Sequence, residues 1–348
     1  MTVHMTSYHA ISILHGGPRT QIAETARHLE ASGVRVRFFD PWTPFRPEPG
    51  DLVHLFAANI GTYHIAREIR ALGVPLIVSP ITYTSHSVGF VRNALAASRF
   101  MQKVGPGIWT DYSLCADICA WAARVVPNTQ AEADLITGGY GIPGANVRVV
   151  PNGVDERFAS GDPELFRKAY GLDKFILNVG HIGHTRKNVL QLIKALGGID
   201  HPAVIIGRII KGPYGEACVR EAARHKHIRL IDGLGNDSAM LASAYAACDV
   251  FALPSLFETP GIAALEAGLA GAKVVITPHG GTREYFGDLA RYVDPADERS
   301  IREGIVAALA SPRDDALRTH IAGNFLWKHV AARTAAVYNE VATNRPSM

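Results

Sequence analysis

Short apolar segments alternate with amphipathic ones twice along the chain, and this alternation restricts the fold more than any other feature. The first series contains predicted strands at 11–14, 34–39, 52–57, 74–79, 125–126 and 147–150. The second contains predicted strands at 175–179, 203–206, 228–231, 249–253 and 273–276. Apolar runs separated by helices are typical of buried parallel strands, so each series predicts one Rossmann-like α/β domain.

A Pro-Asn-Gly-Val-Asp segment at 151–155 separates the two series with residues that favour turns. We therefore expect an N-terminal domain over 1–152 and a C-terminal domain over 153–320. Each is large enough to bury its own core, as the length of 348 residues allows. Residues 319–342 carry one long helical pattern.

Composition excludes several classes of protein. Apolar residues make up 47% of the chain and charged residues 19%, which is typical of a globular protein and excludes disorder. The net charge of +3 is too small to indicate a nucleic-acid partner. No apolar run approaches the length of a membrane span, and the N-terminus lacks a signal-peptide pattern, so we expect a cytoplasmic protein.

The cysteine and histidine spacings do not predict a metal site. No two of the 4 cysteines are spaced as a Cys-x-x-Cys pair. His181 and His184 lie three residues apart, but no further ligand is suggested beside them. An Asp-x-Asp pair is also absent from the sequence. We expect a protein that needs neither a metal ion nor a cofactor.

The segment 257–272 carries the strongest indication of a site. It follows a strand that Pro254 and Ser255 end, and we expect a helix with Thr259 as N-cap and Pro260 as its first residue. Glu258 lies where helix amides favour an anion, and Gly261 allows a ligand to approach the backbone.

Glu266 is the single charged residue in 260–272, which makes its burial costly without a partner. A phosphate-sized site flanked by carboxylates suggests a ligand with both phosphate and hydroxyl groups, such as a nucleotide sugar. The alternatives are that Glu258 caps its own helix and that Glu266 pairs with an arginine.

Two cations follow the strand at 175–179. Arg186 and Lys187 lie at the start of the next predicted helix, close to the strand end at His181. Arginine can hold two phosphate oxygens and lysine supplies a point charge, so this pair suits a diphosphate leaving group. A solvated loop is the alternative.

In the first series, Gly16 and Gly17 lie between the strand predicted at 11–14 and a helix that extends to about Ser32. The dinucleotide fingerprint Gly-x-Gly-x-x-Gly is absent. We favour a backbone loop that faces the ligand cleft over a simple tight turn, because open α/β sheets bind ligands at the carboxyl ends of their strands.

Residues 86–122 are predicted to form amphipathic helices interrupted at 105–107. They carry aromatic residues that include Phe90, Phe100, Trp109 and Trp121, and three cationic residues, Arg92, Arg99 and Lys103. Packing on the sheet explains this pattern. An acceptor-binding or membrane-facing surface is the alternative, and it would give a weak peripheral association at the inner face of a membrane.

Together these segments resemble the retaining glycosyltransferases of family 4. Glu258 and Glu266 form the Glu-x7-Glu pair of that family. The resemblance covers about residues 120–340 and comprises 149–155, 179–180 with 187–188, 246–253, 258–266, 280–281 with Glu284, and Trp327 with Tyr338. It implies a GT-B fold, in which two Rossmann-like domains face a central cleft and a C-terminal helix, here 321–348, crosses back to the N-terminal domain.

The resemblance also implies roles for individual residues. Glu266 would hold ribose hydroxyls and Glu258 would contact the donor sugar. Lys187 and the amides of Gly261 and Ile262, next to Thr259 and Pro260, would hold the diphosphate. Backbone groups over 231–235, which include Leu234, would face the base.

The chain departs from the family pattern at two places. His181 stands where the family usually has arginine, and Arg186 or Arg208 would supply that charge. Residues 80–82, Pro-Ile-Thr, stand where a family histidine often follows the strand at 74–79.

The implied activity is a retaining, metal-independent transfer of a hexose from a nucleotide sugar to a saccharide or lipid-linked acceptor. Surface polysaccharide or glycolipid synthesis is the expected context. A sugar-nucleotide epimerase and a catalytically silent nucleotide-sugar-binding homologue are the alternatives. The base, the sugar, the acceptor and the oligomeric state stay open at this stage.

Overall fold

The computed structural model describes residues 1–13, 16–105, 107 and 109–343. The chain forms two compact units. One contains Met1–Gly153 together with the chain from Trp327 onward, and the other contains Val154–Leu326. The return to the first unit thus begins at Trp327, rather than at residue 321.

The first unit is built on a five-stranded parallel sheet. Its strands are β1 Thr2–Thr6, β2 Arg35–Phe38, β3 Leu52–Phe56, β4 Leu76–Ser79 and β5 Arg124–Val125, in the order β2-β1-β3-β4-β5. Its helices are α1 Gly17–Ala31, α2 Ile60–Ala71, α3 Val88–Val104, α4 Asp111–Trp121 and α5 Gln130–Asp134. The order changes direction between β1 and β3, which is where such sheets bind ligands.

The first strand was predicted wrongly at 11–14. The strand is β1, and His9–Ser12 form a 3-10 turn, while Leu14 and His15 lie outside the described residues. The sequence hides β1 because its buried side chains include polar ones. Asp51 satisfies the His4 side chain, whose Nε2 lies 3.3 Å from its carboxylate, and the same carboxylate accepts from the backbone amide of Thr2 at 2.8 Å. The strand predicted at 147–150 is also wrong, since Val147 forms just an isolated bridge with Val125.

The second unit contains a six-stranded parallel sheet. Its strands are β6 Ile176–Val179, β7 Ala203–Ile206, β8 Ile228–Ile231, β9 Val250–Leu253, β10 Lys273–Ile276 and β11 Arg291–Tyr292, in the order β11-β10-β9-β6-β7-β8. Its helices are α6 Pro163–Tyr170, α7 Val189–Gly197, α8 Pro213–Ala222, α9 Ala239–Ala247, α10 Ile262–Leu269, α11 Thr282–Phe286, α12 Glu298–Ala310 and α13 Ala316–Asn324. Apolar clusters cover both faces of the sheet, as the continuous apolar strands require.

The single helix predicted over 319–342 is two helices, α13 and α14 Trp327–Thr343. The break lies at Phe325 and Leu326. The amide of Val154 donates to the Phe325 carbonyl at 2.8 Å, and Val154 forms a parallel bridge with Leu326. This pairing takes the two residues out of the helix, which a 3.6-residue apolar period cannot reveal.

Helix α14 packs onto the first unit through buried aromatic residues. The Trp327 ring lies so close to Gly153 that a Cβ there would be 2.5 Å from it. Tyr338 is fully buried, and its hydroxyl lies 2.7 Å from Nδ1 of His54 on β3. Burial lowers the pKa of His54 to about 3, so this histidine is neutral and the contact is a hydrogen bond between uncharged groups.

Candidate functional site

The chain crosses over at the centre of the second sheet, and the predicted donor site lies there. β6 pairs with β9, while the following strands continue to opposite edges. The segments after β6 and after β9 therefore meet at one point of the carboxyl edge. In open α/β sheets this switch point is the ordinary place for a ligand.

Glu258, after β9, receives three polar groups at this point. Lys187 Nζ lies 2.5 Å from its Oε1, and Ser255 Oγ donates to the same oxygen at 2.8 Å. Arg186 Nη1 lies 3.4 Å from Oε1 and donates to the Phe257 carbonyl at 2.8 Å. The side chain of Glu258 is 7% exposed, that of Lys187 is 19% and that of Arg186 is 49%. The arrangement is a buried carboxylate covered by cations that solvent can reach.

The charges keep this carboxylate ionised. Burial alone would raise the pKa of Glu258, but Lys187, Arg186 and the hydrogen bond from Ser255 outweigh it, so the pKa lies below its ordinary value. Glu258 is therefore an acceptor-only group at neutral pH. The alternative that it caps its own helix is wrong, because its carboxylate accepts from side chains of two other segments.

Backbone contacts hold the two segments in register. Asn188 adopts a left-handed conformation with φ of 54°, and its Nδ2 donates to the carbonyls of Pro254 and Pro295 at 3.0 and 2.7 Å. The Leu256 amide donates to the Arg186 carbonyl at 2.9 Å. These bonds fix the chain on both sides of Lys187, and so they set its approach to Glu258.

Helix α10 begins two residues later than the sequence suggested. Thr259 is not its N-cap and Pro260 is not its first residue, because Gly261 is the N-cap and Ile262 begins the helix. Gly261 has φ of +71°, a left-handed conformation that other residues adopt at a cost. The unpaired amides of the first turn thus start at Gly261, beside the cluster around Glu258.

Glu266 lies in α10 and is 5% exposed. Its Oε2 accepts a hydrogen bond from the Tyr245 hydroxyl at 2.6 Å. Burial raises its pKa to about 7, although Tyr245 and the nearby Arg157 act in the opposite direction. An arginine is therefore close to Glu266, as the alternative proposed, but the hydrogen-bond partner is a tyrosine that the sequence analysis did not identify.

His181, Arg208 and Leu234 lie on neighbouring segments of the second unit. The Ile182 amide donates to the Arg208 carbonyl at 3.0 Å, so the segments after β6 and β7 run together. His181 is half-buried and Arg208 is exposed. Leu234 packs against the core beside β8. The guanidinium that reaches Glu258 is that of Arg186.

Gly16 and Gly17 lie at the N-terminus of α1 in the first unit. Gly16 is its N-cap, Gly17 is its first residue, and both are exposed. They follow β1, the strand at which the order of this sheet changes direction.

Helix α3 presents an apolar outer surface, and Trp109 follows it. Phe90, Phe100, Val104 and Trp109 are 50%, 69%, 77% and 61% exposed. One of the three expected cations is not available, because Arg99 pairs with Asp117.

Over the described ranges, no three His, Cys, Asp or Glu side chains come together as metal ligands. The four cysteines are buried and free. Among the helices of the described part of the chain, none combines the length and the apolar character needed to cross a membrane.

Two families match the chain. The family described as "Glycosyl transferases group 1" matches residues 164–324, and "Glycosyltransferase Family 4" matches residues 51–158.

D-inositol 3-phosphate glycosyltransferase 1 of Catenulispora acidiphila is 30% identical, over 82% of this chain and 70% of its own length. A D-inositol 3-phosphate glycosyltransferase of Actinosynnema mirum is also 30% identical, and the chain spans 58% of its length. An MMP alpha-(1->4)-mannosyltransferase of Mycolicibacterium hassiacum is 26% identical over 93% of this chain and 81% of its own length.

Solved structures with the same architecture cover nearly the whole chain. Sucrose-phosphate synthase of Thermosynechococcus elongatus superposes with a TM-score of 0.77 at 19% identity, covering 99% of this chain and 100% of that chain. HepE of Anabaena, in complex with UDP and glucose, superposes with a TM-score of 0.70 at 16% identity, covering 97% and 99%.

Proposed function

The chain belongs to the group 1 glycosyltransferases and has their GT-B fold, and we propose that it is a retaining, metal-independent hexosyltransferase that uses a nucleotide-sugar donor. The cluster of Lys187, Ser255 and Arg186 around Glu258 carries this proposal. It places cations and a carboxylate at the switch point of the second sheet, beside the first amides of α10.

The cations and the amides would stabilise the departing diphosphate. Negative charge builds on the diphosphate as its bond to the sugar breaks, and preorganised donors stabilise that charge most in a site that excludes water. Lys187 and the amides of Gly261 and Ile262 would hold the diphosphate. Arg186 would supply the positive charge of the arginine that the family usually has at the position of His181. These groups take the place that a divalent cation has in metal-dependent transfer.

Glu258 would accept hydrogen bonds from the hydroxyls of the donor sugar, since it is ionised and can only accept. The bond from the anomeric carbon to the diphosphate breaks, and a bond to the acceptor oxygen forms on the same face of the sugar. The acceptor proton passes to the departing phosphate. Atoms and charges balance without a further reactant.

Glu266 would accept from the ribose hydroxyls, and the backbone around Leu234 would contact the base. The solved structure of HepE, which has the same architecture, is a complex with UDP and glucose, and this supports a nucleotide ligand for the present chain. The proposal for the first unit is that Gly16 and Gly17 contact the acceptor, since they follow the strand at which the sheet order changes.

A saccharide or lipid-linked hydroxyl is the proposed acceptor class, in polysaccharide or glycolipid synthesis. The relatives named for D-inositol 3-phosphate support a polyhydroxylated acceptor, and the relative named as an alpha-(1->4)-mannosyltransferase supports transfer of a hexose. A panel of UDP- and GDP-hexoses with such acceptors tests the activity. We expect acceptor-dependent release of the nucleoside diphosphate, with the anomeric configuration of the donor kept in the product and the rate unchanged by EDTA. Inversion, or loss of activity with EDTA that Mg²⁺ or Mn²⁺ restores, would contradict the proposal.

The surface of α3 supports weak peripheral contact with an anionic membrane. The helix has exposed apolar side chains and contains no acidic residue, and Arg92 and Lys103 are exposed. We expect the protein to float with vesicles that contain phosphatidylglycerol, more than with phosphatidylcholine alone. Phe100→Ser should reduce this binding. Trp42→Ser, at a residue that is 91% exposed after β2, is the matched control, and an equal effect of both variants would argue against α3.

A further inference from the structure

Tyr245 and Glu266 form a buried pair between α9 and α10. The tyrosine is fully buried. Its ring packs edge-on against Phe158 at a centroid distance of 5.4 Å and lies tilted against Phe251 at 5.8 Å. Aromatic packing on two sides fixes the ring, so its hydroxyl is held at Oε2 of Glu266, 2.6 Å away. Oε1 of Glu266 accepts no hydrogen bond from any residue that the structure describes. Oε1 also keeps some exposed surface, since it is not among the fully buried polar atoms without a partner.

We propose that Tyr245 is a positioning residue for nucleotide recognition: its hydroxyl occupies Oε2 of Glu266, keeps the carboxylate an acceptor, and leaves Oε1 to the hydroxyls of the ribose. This inference rests on the proposed function, which assigns the ribose to Glu266. It adds that Tyr245 and Glu266 recognise the ribose together, and that the charge of this pair changes close to neutral pH.

The charges around the pair are few. Arg157 and Asp155 face Glu266 from the segment before α6, the first lowering and the second raising its pKa. Strand β9 is apolar, and β10 directs its Lys273 to the carbonyls of Leu309 and Ser311. From α13, Leu317 and Ile321 pack on α10 at Gly268, while His320 bonds to the Tyr285 carbonyl.

Proton binding should therefore be linked to nucleotide binding. Burial raises the pKa of Glu266 to about 7, so part of the free protein carries a proton there at neutral pH. Burial also raises the pKa of Tyr245 far above its ordinary value, so the phenol stays a donor throughout. Ribose hydroxyls need the ionised carboxylate as an acceptor. The ligand thus lowers the pKa of Glu266 and releases a proton, and affinity should rise between pH 6 and 8.

Calorimetric titration with UDP and with GDP, at pH 6, 7 and 8 and in two buffers of different ionisation enthalpy, tests this inference. For whichever nucleotide binds, we expect the wild-type protein to release protons at pH 7. Tyr245→Phe removes a bond to a charged group, so affinity at pH 7 should fall by about tenfold and recover partly at pH 8. Glu266→Gln should bind weakly and without proton release. Tyr292→Phe, which loses a phenolic bond to the Gly287 carbonyl, should match the wild type.

The outcomes separate the two claims. If Glu266→Gln weakens binding while Tyr245→Phe binds like the wild type, the positioning role is overturned and the nucleotide site stands. Unchanged affinity in Glu266→Gln, or no binding of either nucleotide, would overturn the proposed function and this inference with it. A wild-type affinity that is constant from pH 6 to 8, without proton release, would overturn the linkage and needs no variant.

Discussion

Lys187→Ala should lower kcat by about a hundredfold or more, which is the usual effect of losing one preorganised donor to a developing charge. The ammonium gains strength as the glycosidic bond breaks and charge collects on the diphosphate. An interaction that is stronger in the transition state lowers turnover more than donor affinity. Donor KM should therefore change less than kcat. Steady-state kinetics over a range of donor concentrations measures both.

Arg186→Ala is the comparison variant for Lys187→Ala, since both cations lie at Glu258. Its guanidinium is half exposed and bonds to the Phe257 carbonyl as well as lying 3.4 Å from Glu258. We expect a smaller loss of kcat than in Lys187→Ala. A thermal melt checks that each variant is folded, since removing Lys187 leaves the buried charge of Glu258 with fewer cations beside it. A normal kcat in folded Lys187→Ala would mean that the loop is structural and that the diphosphate binds elsewhere.

Glu266→Ala should nearly abolish nucleotide binding. Hydrogen bonds to a charged group contribute about 1.5–3 kcal/mol each, so the loss of two ribose contacts lowers affinity by about a hundredfold or more. Calorimetry with the nucleoside diphosphate measures this directly. Unchanged affinity in a folded variant would contradict the assignment of Glu266.

Replacing Glu266 should weaken nucleotide binding but stabilise the nucleotide-free protein above neutral pH. The folded protein raises the pKa of Glu266 from 4.5 to about 7, so the contribution of this group to stability is lost as the pH rises through that window. Ionised and buried, Glu266 destabilises the free protein above pH 7. Glu266→Gln should therefore melt at a higher temperature than the wild type at pH 8, with a smaller difference at pH 5. The reverse order would show that the carboxylate is not strained by burial.

Much of the second unit could be predicted from sequence because its strands are continuous apolar runs. The predicted bounds of 203–206, 228–231 and 273–276 match β7, β8 and β10. Strand β1 was missed because its buried side chains include polar ones, and the partner of His4 is Asp51, which lies 47 residues further along the chain. Local patterns carry no record of such a partner.

For the site as well, the sequence indicated individual residues but not the contacts between distant segments. The sequence identified Glu258, Glu266, Arg186 and Lys187 as polar residues at strand and helix ends. It could not show that Lys187 and Glu258, which are 71 residues apart, contact each other, because that contact follows from the pairing of β6 with β9. Tyr245 was missed because a tyrosine in an apolar helix is ordinarily a core residue. The later start of α10 depends on the backbone conformation of Gly261, which the Thr-Pro signal concealed.

A crystal structure with a bound nucleoside diphosphate tests the central claim most directly. We predict that the diphosphate lies at the amides of Gly261 and Ile262 within hydrogen-bonding distance of Lys187, and that the ribose hydroxyls contact Oε1 of Glu266. A nucleotide bound away from the switch point between β6 and β9, with Lys187 still paired to Glu258 alone, would contradict the account.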